Sequence, residues 1–202
     1  MNTRMKIGIL GGSFDPIHEG HLALARQSQK QFRLDKILFI PAFYPPHKSK
    51  GKAIPVASGE DRAQMVKLSI EGEPDWEFCD IELKRLGISY TVDTLRELRK
   101  IYPPPHELFF IAGADSFQDF PHWKNPDEIL RLSEWIVAPR PSVKLPEKMP
   151  PRFHLLKMAP LAVSASEVRQ KIDRGEDLSN WIPSQARDYL EQKKIYQRAR
   201  HG

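Results

Sequence analysis

Residues 5–22 read Met-Lys-Ile-Gly-Ile-Leu-Gly-Gly-Ser-Phe-Asp-Pro-Ile-His-Glu-Gly-His-Leu. The apolar run 7–10 predicts a buried strand, and the two glycines after it predict a turn into a polar loop. A helix is expected to begin near His18, because an apolar pattern with helical spacing starts at Leu22. A strand, a glycine-containing loop and a helix N-terminus together form an anion site, since the first N–H groups of the helix are unpaired.

Two histidines lie where that helix should start. His18 and His21 are three residues apart, so both rings fall on one face of the first turn. Beside a bound phosphate they can stabilise charge that develops in a transition state. A zinc site is the alternative, but it needs a third and a fourth ligand, and the other histidines are scattered while Cys79 is the single cysteine. The pattern therefore favours phosphate chemistry, and we assign no metal ligand.

The rest of the chain alternates short apolar runs with helical patterns. Further strands are expected at 36–40, 76–79, 107–112, 134–138 and 153–158. Helices are expected at 58–71, 90–101 and 183–193, with two more starting near 125 and 164.

This alternation implies right-handed crossovers and an α/β protein with a Rossmann-like, doubly wound parallel sheet. We expect a single domain over residues 1–202, in which 162–202 form a small C-terminal helical part. Such sheets bind ligands beyond the carboxyl ends of their strands, at the point where the strand order reverses. Gly11, Gly12 and Gly113 follow predicted strands and are expected to line that crevice.

Composition limits the classes of protein to be considered. The 202 residues are 40% hydrophobic and 28% charged, which is typical of a soluble globular protein, and no apolar run is long enough to span a membrane. A single cysteine excludes an intrachain disulfide, and the N-terminal sequence is unlike a signal peptide, so we expect a cytoplasmic protein. The net charge of +5 suits either a nucleic acid or a phosphate-rich small substrate.

A second phosphate motif is predicted at 163–169, which reads Val-Ser-Ala-Ser-Glu-Val-Arg. Hydroxyl and N–H groups at a helix start, with an arginine in its first turns, can clamp a triphosphate. The alternative is an ordinary helix cap followed by a surface charge.

Several stretches carry a resemblance to a known family. Residues 11–21, ending in His-Glu-Gly-His, resemble the signature of the nucleotidyltransferase superfamily that has an HxGH motif. Residues 163–169 resemble its second motif, ISSTxxR, with Val163, Ala165 and Ser166 in place of isoleucine, the second serine and threonine. Further similar stretches are Phe-Ile-Pro-Ala-Phe-Tyr-Pro-Pro-His-Lys at 39–48, Ile-Ser-Tyr-Thr-Val-Asp-Thr-Leu at 88–95, Phe-Ile-Ala-Gly-Ala-Asp-Ser at 110–116 and His-Trp-Lys at 122–124. Together they resemble the bacterial nicotinate (nicotinamide) mononucleotide adenylyltransferases.

The resemblance implies direct adenylyl transfer from ATP, accompanied by Mg²⁺, to nicotinate mononucleotide, giving deamido-NAD⁺ and pyrophosphate. It implies that His18, His21 and Arg169 are catalytic. The expected ATP contacts are Gly11, Gly12, Ser13, Phe14, His18, His21, Gly113, Asp115, Ser164, Ser166 and Arg169. The expected mononucleotide contacts are Asp15, His47, Lys48, Tyr90, Thr91, Trp123 and Arg140. ATP and the mononucleotide are the expected partners, with neither nucleic acid nor membrane.

Two alternatives stay open at this point. One is another adenylyl- or cytidylyltransferase of the same superfamily, acting on phosphopantetheine or an alcohol phosphate. The other is a non-catalytic module that binds nucleotides or nucleic acid, which the positive net charge would suit. The second alternative is disfavoured by the presence of His18, His21 and Arg169, because a protein that only binds its ligand needs no hydrogen-bond donors that stabilise a transition state.

Overall fold

A computed structural model of the chain, which describes residues 4–46, 55–141, 143–159 and 163–197, has a six-stranded sheet at its centre. Its strands are β1 (Lys6–Gly12), β2 (Lys36–Pro41), β3 (Trp76–Phe78), β4 (Glu107–Gly113), β5 (Glu134–Ala138) and β6 (Phe153–Leu155). All neighbouring strands are parallel, and their order across the sheet is β3-β2-β1-β4-β5-β6. The predicted Rossmann-like parallel sheet is confirmed.

Helices connect and cover the strands. They are α1 (Glu19–Phe32), α2 (Gly59–Ile70), α3 (Ile81–Arg85), α4 (Thr91–Ile101), α5 (Ala114–Asp119), α6 (Pro126–Leu132), α7 (Ala165–Arg174) and α8 (Ser184–Gln192), with a 3₁₀ turn at Phe120–His122. The longer helices begin close to the residues at which the sequence predicted them. The short α3, α5 and 3₁₀ turn were not predicted, since fewer than two turns show little hydrophobic periodicity.

The strand order reverses between β1 and β4, which lie side by side at the centre of the sheet. Gly11 and Gly12 end β1 and Gly113 ends β4, so the three glycines meet at one edge, as the parallel sheet requires. The expected glycine turn is wrong in one respect. Gly11 and Gly12 are still within the strand, paired with Ile40 and Pro41 of β2, and the chain turns at Phe14, whose φ is +46°.

Each face of the sheet buries its own apolar cluster, because successive side chains of a strand point to opposite sides. On one face Ile7 and Ile9 pack with residues of α4 such as Leu95 and Leu98. On the other face Leu10 packs with α1, α2 and the C-terminal helices.

The C-terminal helices share the second of these clusters with the first loop. Val168 of α7 and Ala186 and Leu190 of α8 belong to the same buried set as Leu10 and Phe14. The backbone N–H of Glu19, at the first position of α1, donates to the carbonyl of Trp181 at 2.8 Å. The start of α1 is therefore completed by residues from near the other end of the chain. Across the described part of the chain, no helix is long and apolar enough to cross a membrane.

Candidate active site

The two histidines of the first motif form a stacked pair at the start of α1. Their ring centroids are 3.7 Å apart and their planes are inclined by 26°. The backbone N–H of His18, the N-cap residue, donates to Nδ1 of His21 at 3.2 Å. Because this Nδ1 accepts a hydrogen bond, the neutral His21 ring carries its proton on Nε2. The fold thus selects the tautomer that presents Nε2–H as a donor.

Gly20 allows this stacking. A Cβ added at position 20 would lie 3.0 Å from Nδ1 of His18, closer than ordinary contact between such atoms. Any larger residue between the two histidines would therefore push the His18 ring away from its place. The spacing His-x-Gly-His has a steric reason in this structure.

Burial keeps both rings uncharged near neutral pH. It lowers the pKa of His18 to about 4, with a further lowering by the positive charge of Arg140 and an opposing effect of Glu167. Burial also lowers the pKa of His21 well below its ordinary value, assisted by His18 and Arg140. The pair therefore offers N–H donors rather than fixed positive charges until an anion arrives.

Arg140 and Asp115 stand at the carboxyl ends of β5 and β4. Nε of Arg140 lies 2.9 Å from Oδ2 of Asp115, and both side chains are about half exposed. A Cβ at Gly113 would lie 3.2 Å from the same Nε, so the glycine leaves room for the arginine. Arg140, expected at the mononucleotide, lies with Asp115 among the residues expected around ATP.

The second motif reaches the first through Arg169. Its Nη1 donates to the backbone carbonyl of Asp15 at 2.5 Å and lies 3.6 Å from the carboxylate Oδ2 of the same residue. Val163 lies close to Gly20, since a Cβ there would be 3.5 Å from the valine Cβ. The two motifs, about 150 residues apart in sequence, therefore share one site.

The start of α7 is a complete capping box. Ser164 is the N-cap, and its hydroxyl accepts the backbone N–H of Glu167 at 3.3 Å, while Glu167 accepts the backbone N–H of Ser164 at 2.9 Å. The hydroxyl groups of Ser164 and Ser166 are 3.2 Å apart. Ala165 is the first residue of the helix and brings no hydroxyl group, so the hydroxyl groups of this motif are those of the two serines.

Two residues expected to touch substrate have buried side chains. The ring of Phe14 is 1% exposed and meets the edge of the His21 ring with centroids 5.0 Å apart, so it supports that histidine. Asp15 is also 1% exposed, and its carboxylate accepts backbone N–H groups of Val56 and Ala57 at 2.9 and 3.0 Å. In this structure the Asp15 carboxylate holds the loop together, and the expected role of Asp15 at the mononucleotide stays a prediction.

Arg62 is a buried residue beside the site that sequence reasoning missed. It is 2% exposed, and its Nη1 donates to the carbonyl groups of Ser13 and Ala42, each at 2.7 Å. It thereby ties the loop after β1 to the residue after β2, and supports the turn at Phe14. A signal was present, because position 62 lies on the same face of α2 as the buried Met65.

Two of the residues expected at the mononucleotide, Tyr90 and Trp123, pack against the apolar cluster on the Ile7 and Ile9 face of the sheet. Tyr90 is the N-cap of α4 and Thr91 its first residue. The ring of Trp123 meets that of Phe110 with centroids 5.9 Å apart, and a Cβ at Gly11 would lie 3.8 Å from the same Phe110 ring. Phe110 thus lies between the tryptophan and the end of β1.

Lys124 was not predicted at this second group. Its Nζ lies 4.5 Å from the centroid of the Tyr90 ring and 3.0 Å from Oδ2 of Asp93. His47 and Lys48, expected to bind the mononucleotide phosphate, lie outside the described residues. Within the described ranges, no three His, Cys, Asp or Glu side chains are grouped so that they could hold a metal ion.

Comparison with solved structures agrees with this architecture. The chain superimposes on the Plasmodium falciparum nicotinic acid mononucleotide adenylyltransferase complexed with APC, with a TM-score of 0.79 at 20% identity, covering 96% of this chain and 98% of that chain. A putative nicotinate-nucleotide adenylyltransferase from Vibrio parahaemolyticus gives a TM-score of 0.70 at 19% identity, covering 96% and 97%. At these identities the likeness concerns the fold.

Sequence comparison is more specific. The chain is 38% identical to a probable nicotinate-nucleotide adenylyltransferase of Desulfitobacterium hafniense over 95% of both chains, and 39% identical to one of Thermus thermophilus over 95% of this chain and all of the relative. The model of the cytidylyltransferase-like family matches residues 9–171, which include both phosphate motifs. The chain therefore belongs to the cytidylyltransferase-like family of nucleotidyltransferases, and within it to the group that contains these nicotinate-nucleotide adenylyltransferase relatives.

Proposed function

We propose that this chain transfers the adenylyl group of ATP to nicotinate mononucleotide, releasing pyrophosphate and giving deamido-NAD⁺ in NAD biosynthesis. One observation carries the proposal. The stacked rings of His18 and His21 lie at the N-terminus of a helix, at the switch point of the sheet, with Arg169 bonded to the same loop. The relatives at 38–39% identity have this activity in their names.

The reaction needs no nucleophile from the protein. A phosphate oxygen of the mononucleotide attacks the α-phosphorus of ATP, and the bond from that phosphorus to the oxygen of the β-phosphate breaks in line. Negative charge builds on the leaving pyrophosphate, so positioning and hydrogen-bond donors are sufficient for catalysis.

The donors of this site suit that charge. We assign Nε2–H of His21 to an α-phosphate oxygen, because the fold has already selected this tautomer. The His18 ring, stacked on that of His21, adds a second imidazole to the same anion site. Arg169 is assigned to the leaving pyrophosphate, since its Nη1 is held by Asp15 and the other edge of its guanidinium remains for phosphate oxygens.

A magnesium ion fits this scheme as part of the substrate. Mg²⁺ commonly keeps several waters and binds nucleotide phosphates rather than a cage of protein ligands. It supplies charge neutralisation on the β- and γ-phosphates when bound. Asp115 is assigned to the ribose hydroxyl groups of ATP, with Arg140 keeping its carboxylate in place at 2.9 Å.

A pyridine ring that carries a carboxylate suits the group formed by Tyr90, Thr91, Trp123 and Lys124. Trp123 offers an aromatic face to the cationic ring. The first N–H groups of α4, which begins at Thr91, have no partner within the helix. The ammonium group of Lys124 lies beside Tyr90 and is paired with Asp93 at 3.0 Å, so the N–H groups of α4 are the donors left for the carboxylate. An anionic substituent on the ring is therefore favoured over a neutral amide.

The decisive experiment supplies MgATP with nicotinate mononucleotide or nicotinamide mononucleotide, separately and at equal concentration, and measures pyrophosphate. We expect release with both histidines intact, and faster release with the nicotinate compound. Turnover of phosphopantetheine in place of either mononucleotide would contradict the proposal. Salt-sensitive binding of RNA or DNA without pyrophosphate release would favour a nucleic-acid-binding module instead.

A further inference from the structure

The carboxylate of Asp15 is the meeting point of several segments that are distant in sequence. Two of its hydrogen bonds come from the backbone of Val56 and Ala57, as described above. A third comes from the hydroxyl group of Tyr196, which donates to Oδ1 at 2.7 Å. Tyr196 follows α8 and is separated from Asp15 by 181 residues. The last described part of the chain thus bonds directly to Asp15, in the loop between β1 and α1.

The surrounding structure holds Tyr196 in the conformation in which it bonds to Asp15. Tyr196 has a φ of +65°, a left-handed conformation that costs a non-glycine residue on the order of 1 kcal/mol and persists only where its surroundings hold it. Burial and the negative charge of Asp15 raise the pKa of Tyr196 far above its ordinary value. The hydroxyl group is therefore protonated and acts as a donor near neutral pH.

Asp15 in turn holds Arg169. Nη1 of the arginine bonds to the Asp15 carbonyl and faces its carboxylate at 3.6 Å. Among the residues that the structure describes, neither Nε nor Nη2 of Arg169 has a hydrogen-bonded acceptor. A shift of Asp15 by a few tenths of an ångström would therefore turn the open edge of the guanidinium away from the phosphate that it is to meet.

We infer that Tyr196 is a positioning residue for adenylyl transfer: it acts through Asp15 to orient Arg169 towards the phosphates of ATP. The inference rests on the proposed function. It also gives the chain after α8 a part in positioning Arg169, although the side chain of Tyr196 does not need to touch substrate.

The test compares two tyrosines of the same C-terminal segment. Tyr196→Phe removes the bond to Asp15. Tyr189→Phe is the matched control, because its hydroxyl group also donates to a carboxylate, that of Asp61 on α2 at 2.9 Å, and not to Asp15. We expect Tyr196→Phe to lower kcat about tenfold with little change in the KM of the mononucleotide, and Tyr189→Phe to leave kcat within about twofold of wild type.

A double-mutant cycle separates positioning from general loss of stability. Tyr196→Phe is also made in an Arg169→Met background, with urea unfolding of every variant as a check on folding. If Tyr196 acts through Arg169, its removal in that background should change kcat less than about twofold. A kcat of Tyr196→Phe equal to wild type, or equal fold-losses in both backgrounds, would overturn the inference.

Two further measurements keep the result decisive. If Tyr196→Phe does not fold, the variant Asp15→Asn is measured instead, because its amide retains an acceptor but loses the charge that faces Arg169. The same tenfold loss of kcat is expected. A kcat equal to that of wild type would overturn the inference. If wild type releases no pyrophosphate, the proposed function fails by itself. The same variants are then compared for MgATP affinity by calorimetry, where weakening by Tyr196→Phe alone supports the inference and equal affinities overturn it.

Discussion

The imidazole rings of His18 and His21 are stacked with their centroids 3.7 Å apart, and the backbone N–H of the first residue is bonded to Nδ1 of the second. The two side chains are therefore one unit. A change in either ring alters the orientation of the other and the geometry of the first turn of α1.

Replacement of His21 by alanine removes the donor that we assign to the α-phosphate. We expect kcat to fall by about 10²–10³-fold, the usual effect of losing one donor to a developing anion. Pyrophosphate release under saturating MgATP and mononucleotide measures it. The loss of the acceptor for the His18 N–H should cost about 1 kcal/mol in urea unfolding, so the variant stays folded. Near-normal turnover would remove His21 from its role.

The stability of the protein should decrease between pH 6.5 and pH 4 because of His18. The folded state holds the pKa of this ring at about 4, whereas the unfolded chain binds its proton near the ordinary value of 6.5. The contribution of the neutral His18 ring to the free energy of unfolding is therefore fully present above pH 6.5, and it is lost as the pH falls towards 4. At pH 5 the loss amounts to about 2 kcal/mol.

Urea unfolding of wild type and His18→Gln at pH 7.5 and pH 5 tests this. The carboxyl groups titrate in both proteins, so the difference between the two pH-dependent losses isolates the histidine. A smaller loss in the variant is the expected result. Identical losses would mean that His18 is not held neutral.

Arg169→Met should lower kcat by about 10²-fold or more, because it removes a charged donor from the leaving pyrophosphate. Arg174→Met is the control on the same helix, since Arg174 is 68% exposed and lies 3.5 Å from Glu176. We expect the control to keep its activity and to unfold within about 0.5 kcal/mol of wild type. Steady-state kinetics with both substrates varied gives the comparison, and equal effects of the two substitutions would argue against a role in phosphate binding.

Trp123→Leu should raise the KM of the mononucleotide at least tenfold more than that of ATP, because it removes the aromatic face while retaining apolar volume. The ring of Trp123 packs against Trp135 with centroids 5.2 Å apart, so some stability is lost as well. Trp135→Leu controls for that loss, since Trp135 is fully buried. A parallel rise in both KM values for Trp123→Leu would place this residue outside the mononucleotide site.

Arg62→Met should destabilise the protein by about 3 kcal/mol, because the carbonyl groups of Ser13 and Ala42 lose their donor. Urea unfolding measures this. Lys67→Met, at an exposed position of the same helix above the ring of Phe78, should cost less than about 1 kcal/mol. Comparable losses for the two variants would show that Arg62 does not hold the two loops together.

The parallel sheet and most helices could be predicted from local patterns. Apolar runs such as 107–112, and caps such as Ser58 and Ser164, depend on neighbours within a few residues. The meeting of Gly11 and Gly113 at one edge of the sheet followed as well, because the carboxyl ends of parallel strands lie at the same edge.

The supporting contacts of the site could not be predicted in this way. The burial of the Asp15 carboxylate depends on Tyr196 and on the backbone near Ala57, which no local pattern connects to it. The turn at Phe14 is held at a positive φ by Arg62 from another helix, whereas local preference pointed to the glycines. Long-range hydrogen bonds override local preference at these positions.

The bond between the N–H of Glu19 and the carbonyl of Trp181 has a consequence for synthesis on the ribosome. Chains are made from the N-terminus, so the histidine motif emerges long before its partners. The start of α1 stays incomplete until Trp181 has left the ribosome, and Arg169 cannot meet Asp15 earlier either. A ribosome-bound chain that ends before residue 181 should hence already contain β1 and β2 but bind no ATP. Adenylyl transfer should therefore require that synthesis has passed Trp181.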